Sequence, residues 1–231
     1  MGSIYLVRHG QASFGTDDYD RLTETGFTQS RLLGAYFGLR NIRFDAVYTG
    51  TMRRHSETLQ GIIEGRTQAG EWPPPERAAG LNEYDAEAVV TAFAGALPAR
   101  DPAAVLREPG TVRDHFRLLK KALLAWTEGA TQPVGMPAWQ AFQDAAVAAV
   151  VAARRCSTDG NVLIVSSGGP IAAITAESLL APPRTAVELN LRLRNSSVSE
   201  FSSSPQRHQL VTFNSLPHLD AHLEKNLTTY A

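Results

Sequence analysis

The amino-acid sequence predicts an α/β fold, a three-layer αβα sandwich in which a mostly parallel sheet lies between two layers of helices. Short apolar runs at residues 4–7, 45–49 and 161–166 are typical of buried strands. Each run is followed, after a loop or a turn, by apolar residues at helical spacing. Strands that alternate with helices along a chain favour a parallel sheet covered on both faces.

The first half of the chain contains two such strand and helix pairs. Thr23 has the residue type of a helix N-cap, and the apolar residues that follow it predict a helix over about residues 24–38. The strand at residues 45–49 leads into a second helix over residues 52–64. Residues 65–80 are rich in glycine, proline and charge, so we expect an irregular connection there.

We expect a single domain over residues 1–231. The second half of the chain adds a helical insertion to this domain. Residues 86–155 are rich in alanine and helical in pattern, and we expect part of this insertion to cover the site. The strand at residues 161–166 precedes a helix over residues 171–180. Further predictions are strands at residues 189–193, 197–201 and 209–213, and a helical tail from His218.

Composition limits the classes of function. The chain of 231 residues has 22 Lys and Arg against 23 Asp and Glu, so it lacks the global basic field of a nucleic-acid binder. Cys156 is the single cysteine, which excludes an intramolecular disulfide framework and a multi-cysteine metal site. No apolar run approaches a membrane span, and we expect no leader before the first strand. We expect a cytoplasmic protein with neither a membrane partner nor a nucleic-acid partner.

Groups that suit a phosphate follow three of the predicted strands. Arg8 and His9 end the first strand; a guanidinium matches two phosphate oxygens, and neutral imidazole is a nucleophile at pH 7. Arg54 lies on the first turn of the second helix. Ser167 and Gly168 follow the strand at residues 161–166 and open another helix. Because the carboxyl ends of parallel strands share one edge, these groups are expected to converge on one anion.

Four motifs in this order resemble the histidine phosphatase superfamily, also called the phosphoglycerate mutase-like family. They are Leu-Val-Arg-His-Gly at residues 6–10, Leu-Thr-Glu-Thr-Gly-Phe-Thr-Gln at 22–29, Tyr-Thr-Gly-Thr-Met-Arg-Arg at 48–54 and Ser-Ser-Gly-Gly-Pro at 166–170. The resemblance covers most of the chain. It implies a phosphoryl-transfer enzyme that needs no cofactor and no metal.

The resemblance also implies roles for individual residues. His9 corresponds to the nucleophile that becomes phosphorylated, and Arg8 and Arg54 correspond to the arginines that hold the phosphoryl oxygens. Glu83, in a Leu-Asn-Glu segment, corresponds to the general acid, with Asp85 as the competing candidate. These types of side chain suit phosphoryl transfer, which depends on positioning and on stabilisation of charge.

One position departs from the family pattern. Most members carry a second histidine where this chain has Ser167, followed by Gly168 and Gly169. A serine donates only a neutral hydrogen bond, and charge-assisted bonds are roughly twice as strong, so we expect slower turnover. The amides of the two glycines, at a helix N-terminus, are expected to face the anion. His55, beside Arg54, is interpreted as a helix-surface residue, with a position in the site as the alternative.

The substrate is expected to be a small phosphorylated metabolite, specifically an organic phosphate monoester. Mutases of the family place an arginine directly after the acidic residue, whereas this chain has Tyr84. Together with Phe14, Tyr19 and Gln11, Tyr84 is predicted to line a pocket with an aromatic wall. A phosphatase is therefore preferred to a mutase, although substrate pockets vary on a common fold.

Three other interpretations, a phosphate-binding module, a serine hydrolase and a metal site, fit the sequence less well. A phosphate-binding module without turnover would need neither the His9 nucleophile nor the Glu83 acid. A serine hydrolase elbow requires glycine two places before the serine, but Val165 precedes Ser167 there. A metal site at His218 and His222 lacks a supporting motif. The sheet edges and the insertion both allow a homodimer.

Overall fold

The computed structural model describes residues 2–13, 20–66, 71–97, 111–157, 159–204, 208–220 and 226–230. Its strands are β1 (Gly2–Arg8), β2 (Ala46–Thr49), β3 (Glu76–Arg77), β4 (Val162–Ser166), β5 (Val198–Ser203) and β6 (His208–Ser215). Its helices are α1 (Glu24–Leu39), α2 (Arg53–Gly65), α3 (Ala86–Gly95), α4 (Val112–Thr127), α5 (Trp139–Cys156), α6 (Gly168–Ser178) and α7 (Pro183–Asn190). A 3-10 turn at Ala79–Leu81 follows β3.

The six strands form one sheet in the order β3-β2-β4-β1-β5-β6. The first four are parallel to one another, β5 pairs antiparallel with β1, and β6 pairs antiparallel with β5. Arg8 of β1 lies opposite Ser166 of β4, and Thr49 of β2 lies opposite Val165. The carboxyl ends of β1, β2 and β4 therefore meet at one edge, and the prediction of a mostly parallel sheet is confirmed.

Side chains that alternate along the central strands pack into two separate hydrophobic cores, one on each face of the sheet. On β1, Ile4 and Leu6 join the core under α3 to α7, whereas Val7 joins the core under α1 and α2. Trp126 is the largest fully buried side chain of the first core, and Phe37 is the largest of the second. Each fully buried side chain of this size contributes roughly 1.5–3 kcal/mol. The three-layer α/β sandwich predicted from the sequence is confirmed.

Local capping explains where several helices begin. The Thr23 hydroxyl accepts the Gly26 amide at 3.1 Å, so α1 starts where the sequence predicted. The Asp85 carboxylate accepts the Ala88 amide at 3.0 Å at the start of α3. Caps of this kind contribute about 1 kcal/mol. Within the described residues of the predicted insertion lie α3, α4 and α5. That residues 1–231 form one domain stays a prediction.

Three predicted elements differ from the structure. The strand expected at residues 189–193 is wrong, because α7 runs to Asn190 and a turn follows it. Leucines at every second position suggested a strand, yet Pro183 at the first helical turn favours a helix. The connection at residues 65–80 contains β3 and the 3-10 turn. The described tail residues 226–230 are not helical, and residues 221–225 lie outside the described part.

Among the helices of the described residues, none combines the length and the apolar character that a membrane crossing requires.

Candidate active site

Two of the predicted phosphate-binding residues, Arg8 and Arg54, line one cavity at the carboxyl edge of the sheet. The cavity has a volume of about 600 Å³, and Glu83 also lines it, whereas His9, Ser167 and Gly168 are not among its described lining residues. His9, which follows Arg8, is 2% exposed. The cavity is also lined by Met52, Tyr84, Asp85, Ala86, Glu87, His115, Phe116, Leu119, Asn190, Leu191 and Tyr230. The strand ends thus bring together side chains that are distant in the sequence.

His9 is held as a neutral imidazole. Its Nδ1 lies 2.7 Å from the Gly10 carbonyl oxygen. A carbonyl only accepts, so Nδ1 carries the proton and Nε2 keeps its lone pair. Burial, and then the charges of Arg8 and Arg54, hold the pKa of His9 well below the ordinary 6.5. The ring is therefore unprotonated on Nε2 at neutral pH.

Backbone carbonyls fix the guanidinium of Arg8. Nη1 donates to the carbonyl of Leu193 and, at 2.8 Å, to the carbonyl of Tyr230. Tyr230 belongs to a tail segment that is also anchored to α1, where the Gln29 side chain donates to the Leu227 carbonyl at 2.7 Å. The planar fork of Arg8 is thereby oriented before a phosphate arrives, which lowers the entropic cost of binding.

Arg54 is paired with a carboxylate that sequence reasoning missed. Its Nη1 lies 2.8 Å from Oδ1 of Asp20, and the Arg53 amide donates to Asp20 Oδ2 at 2.8 Å. Asp20 thus places two oxygens against a guanidinium and the first amide of α2, a pattern of contacts that a phosphate could also make. No motif marks this contact, because it joins a loop and a helix across 34 positions of the chain.

Backbone amides position the carboxyl group of Glu83. Its Oε1 accepts the amide of Gly169 at 2.9 Å and that of Tyr84 at 3.3 Å. Burial raises the pKa of Glu83, although the charges of Arg54 and Arg8 oppose this shift. Because Oε1 accepts two hydrogen bonds, the acid proton belongs on Oε2. The expectation that the Gly169 amide faces the anion is wrong, since that amide is bonded to Glu83.

Hydrogen bonds on both sides hold the segment that carries Glu83. The Ser166 hydroxyl donates to the Leu81 carbonyl at 2.7 Å, which ties the 3-10 turn to the end of β4. The Asn82 side chain accepts the Thr51 amide at 2.7 Å. The competing candidate, Asp85, is exposed, and its carboxylate caps α3. The geometry therefore favours Glu83 as the acid.

Ser167 and His55 form a buried pair beside this group. His55 Nε2 lies 2.7 Å from Ser167 Oγ, and both side chains are fully buried. The interpretation of His55 as a helix-surface residue is therefore wrong. Burial and the charge of Arg54 lower the pKa of His55 to about 3, so the ring is neutral. A Cβ on Gly50 would lie 2.2 Å from His55 Nδ1, which explains the glycine at the end of β2.

Comparison with known proteins identifies the family. Residues 4–104 and 107–216 match the family model of the histidine phosphatase superfamily (branch 1). The chain belongs to the histidine phosphatase superfamily. It is 35% identical over 89 residues to a 2,3-bisphosphoglycerate-dependent phosphoglycerate mutase of Xanthobacter autotrophicus, a match that covers 36% of this chain and 42% of the mutase.

Solved structures share the fold of this histidine phosphatase superfamily member. Bacillus stearothermophilus YhfR has a TM-score of 0.68 at 18% identity, covering 95% of this chain and 100% of YhfR. A phosphoserine phosphatase mutant from Entamoeba histolytica, solved with phosphoserine, has a TM-score of 0.63 at 18% identity and the same coverage. Identities this low establish the fold and leave the substrate open.

Of the four residues predicted to line the pocket of this superfamily member, Tyr84 is found among the described lining residues. Tyr84 lines the cavity, and its hydroxyl accepts the Asn190 side-chain amide at 2.8 Å. Gln11 is not among the described lining residues, because its Oε1 accepts the Thr23 hydroxyl at 2.9 Å at the start of α1. Phe14 and Tyr19 lie outside the described residues.

Ser167 and Gly168 lie at the N-terminus of α6, as the strand and helix pattern predicted, and both are buried. The pocket residues that the sequence did not reveal include His115, Phe116 and Leu119, which α4 contributes to the lining of the cavity. Their spacing of one and three residues is common on any amphipathic helix, so it gave no functional signal.

Of the two histidines considered as a metal pair, only His218 lies within the described residues. His218 is buried, with Nε2 at 2.9 Å from the Ser196 hydroxyl, and His222 lies outside the described residues. In the described ranges, no three His, Cys, Asp or Glu side chains are grouped as a metal site would require.

Proposed function

We propose that the protein is a phosphomonoesterase that forms a phosphohistidine on His9 and acts on a small organic phosphate. One observation carries this proposal: the neutral imidazole of His9 lies beside the guanidinium groups of Arg8 and Arg54, and Glu83, a half-buried carboxyl group with a raised pKa, lines the same cavity as these two arginines. Nucleophile, charge stabilisation and acid are the three components that displacement at a phosphoryl group requires.

In the first step, the Nε2 lone pair of His9 attacks phosphorus and the bond from phosphorus to the ester oxygen breaks. Glu83 Oε2 gives its proton to the departing oxygen, and the alcohol leaves. Arg8 and Arg54 stabilise the negative charge on the three remaining phosphoryl oxygens. The phosphorylated ring becomes cationic, and the Gly10 carbonyl, 2.7 Å from Nδ1, stabilises that charge.

In the second step, water attacks the phosphohistidine and the nitrogen to phosphorus bond breaks. Glu83, now a carboxylate, takes a proton from the water, and inorganic phosphate leaves. His9 and Glu83 then return to their starting protonation states. The scheme requires no metal, because two guanidinium groups already neutralise the dianion.

The lining of the cavity supports an organic monoester as substrate. Arg8 and Arg54 are the only arginine or lysine side chains among the described lining residues, and both lie at the phosphate end. Asp85 and Glu87 at the rim would repel a substrate carboxylate. The apolar lining, which includes Phe116, suits an aromatic or aliphatic group.

A phosphoglycerate mutase is the second candidate, since the partial relative from Xanthobacter autotrophicus bears that name. Mutase chemistry would share the first step but would pass the phosphoryl group to a hydroxyl instead of to water. Tyr84 stands where mutases of the family have an arginine, and a tyrosine cannot form an ion pair with the carboxylate of a phosphoglycerate. This difference argues against the mutase. We further propose that the protein acts in the cytoplasm; a homodimer stays a prediction.

The decisive experiment measures phosphate release from 4-nitrophenyl phosphate by wild type and His9→Ala. We expect His9-dependent release that resists EDTA, and an acid-labile phosphoenzyme in wild type only. His208→Asn is the matched control, because His208 pairs with Ser203 at the opposite end of the sheet. Release that persists in His9→Ala would refute the phosphatase mechanism, and transfer to 3-phosphoglycerate without net release would favour the mutase.

A further inference from the structure

Ser167 opens helix α6 without capping it. A serine at an N-cap usually accepts an amide of the first turn, but the Ser167 hydroxyl makes no such bond. The amide two residues further on, that of Gly169, donates instead to Glu83 Oε1 at 2.9 Å. Because Glu83 satisfies this amide, the hydroxyl of Ser167 is available for another interaction.

That interaction is with His55. The Ser167 hydroxyl lies 2.7 Å from His55 Nε2, and neither side chain is exposed. His55 extends from the first turn of α2, directly after Arg54. Its ring centroid lies 5.9 Å from that of His9. The pair therefore lies beside the His9 ring and is shielded from bulk water.

Ser167 also lies next to His9 across the sheet. β1 and β4 are parallel neighbours with Arg8 opposite Ser166, so the following residues leave the sheet side by side. Neighbouring strands are about 4.8 Å apart. A phosphoryl group on His9 is therefore within reach of a short hydroxyl at position 167.

The acceptors present determine the direction of this hydrogen bond during the reaction. Phosphoryl oxygens only accept, so Ser167 must donate its single hydrogen to them. Its oxygen then accepts from His55, whose Nε2 must carry a proton. Burial and Arg54 lower the pKa of His55 to about 3, although a hydrogen bond with the Gly50 backbone opposes this shift, so the ring is neutral and has one N–H. For Nε2 to donate to Ser167, that N–H must lie on Nε2 rather than on Nδ1, which faces Gly50.

We propose that His55 is a positioning residue for phosphoryl transfer, which holds the Ser167 hydroxyl so that its hydrogen points at the phosphoryl group on His9. Two side chains from different elements thereby provide the donor that the family resemblance assigns to one histidine at position 167. The inference rests on the phosphohistidine mechanism proposed above. It also predicts that turnover is less impaired than a lone serine would imply.

A double-mutant cycle with orthovanadate tests this coupling. We expect His55→Ala and Ser167→Ala each to raise the dissociation constant for vanadate, measured by calorimetry, by roughly 10-fold. In the double variant, the dissociation constant for vanadate should also rise by no more than about 10-fold relative to wild type, because each substitution removes the same interaction. Independent effects that multiply to roughly 100-fold, or no effect of His55→Ala, would overturn the proposal.

Conservative variants separate positioning from packing. His55→Gln keeps an N–H donor near the position of Nε2, whereas His55→Leu fills space without one. We expect His55→Gln to regain at least half of the affinity, on a logarithmic scale, that His55→Leu loses. The His55→Ala, Ser167→His double variant should regain affinity in the same way, because it returns an imidazole to the position beside His9. Equal losses in the Gln and Leu variants, at equal thermal midpoints, would show a packing role only.

The vanadate measurements also distinguish this proposal from the proposed function. Vanadate affinity is measured by calorimetry and needs no turnover. If wild type shows no His9-dependent phosphate release, the phosphatase mechanism fails, while the coupling between His55 and Ser167 is still measured. If His9-dependent release is found and the effects of His55→Ala and Ser167→Ala on the free energy of vanadate binding are additive, the phosphatase mechanism stands and the positioning role of His55 fails.

Discussion

The amide of Gly169 donates to Glu83 Oε1 at 2.9 Å, and this one contact joins the N-terminus of α6 to the acid of the site. A Cβ at position 169 would lie 2.3 Å from that oxygen and 2.7 Å from the Tyr84 ring. Only glycine allows the carboxyl group to approach this closely. Because Glu83 accepts the Gly169 amide, the hydroxyl of Ser167 is able to contact His55. The positions of Glu83 and of the Ser167 hydroxyl therefore depend on the same short turn.

Gly169→Ala is therefore expected to displace Glu83 from its position. We predict a loss of about 1–3 kcal/mol in unfolding free energy from overpacking, and a fall in kcat greater than any change in KM. Gly95→Ala is the matched control, because a Cβ there meets nothing within 4 Å. Chemical denaturation and steady-state kinetics on an alkyl phosphate provide the measurement. Wild-type kcat in Gly169→Ala would contradict the role of this contact.

Glu83→Gln is expected to discriminate between leaving groups. An alkyl alkoxide needs a proton as it departs, so we predict a loss of 10²–10⁴-fold in kcat with an alkyl phosphate, the usual contribution of general acid catalysis. An aryl phosphate with an acidic phenol needs little protonation, and its phosphorylation step should slow much less. Rapid-quench measurement of that step gives the comparison. Equal losses for both substrates would show that Glu83 is not the acid.

The sequence predicted the components of the site that lie at strand ends. Arg8, His9 and Arg54 converge because parallel strands share an edge, which needs no knowledge of packing. His55 was misread, since the direction of a side chain on the first turn of a helix depends on what packs against it. Asp20 was missed because its contact is long-range and has no periodic pattern.

The dependence of kcat/KM on pH follows from two opposed shifts. Unshifted, His9 would be neutral mainly above its ordinary pKa of 6.5, and Glu83 would be protonated mainly below 4.5, so the active forms would hardly coexist. Burial lowers the first pKa and raises the second, which opens a window in which both forms are populated. We predict a bell-shaped profile whose alkaline limb disappears in Glu83→Gln. An alkaline limb that survives in this variant would assign it to another group.

Asp20→Asn is expected to strengthen phosphate binding. The carboxylate lies 2.8 Å from Arg54 Nη1 and is 44% exposed, so solvent limits the pair to about 0.2–1 kcal/mol. Removal of its charge should lower the inhibition constant for inorganic phosphate by up to about 5-fold. Glu64→Gln, which breaks the exposed pair with Arg31 at the other end of α2, is the control. Weaker phosphate binding in Asp20→Asn would mean that the carboxylate orients Arg54 rather than competing for it.

Stability in acid is expected to depend on His55. Its pKa is about 3 in the folded protein against an ordinary 6.5, so the unfolded chain binds the extra proton between these values. The stabilising contribution is complete above pH 6.5 and falls as the pH drops, by about 1.4 kcal/mol per pH unit and up to about 5 kcal/mol near pH 3. His55→Gln removes this titration, so its unfolding free energy should decline less steeply between pH 6.5 and 4. Ser167→Ala keeps the buried imidazole beside Arg54 and should retain the wild-type slope. Urea denaturation at several pH values compares the three proteins, and equal slopes for wild type and His55→Gln would show that His55 titrates normally in the folded state.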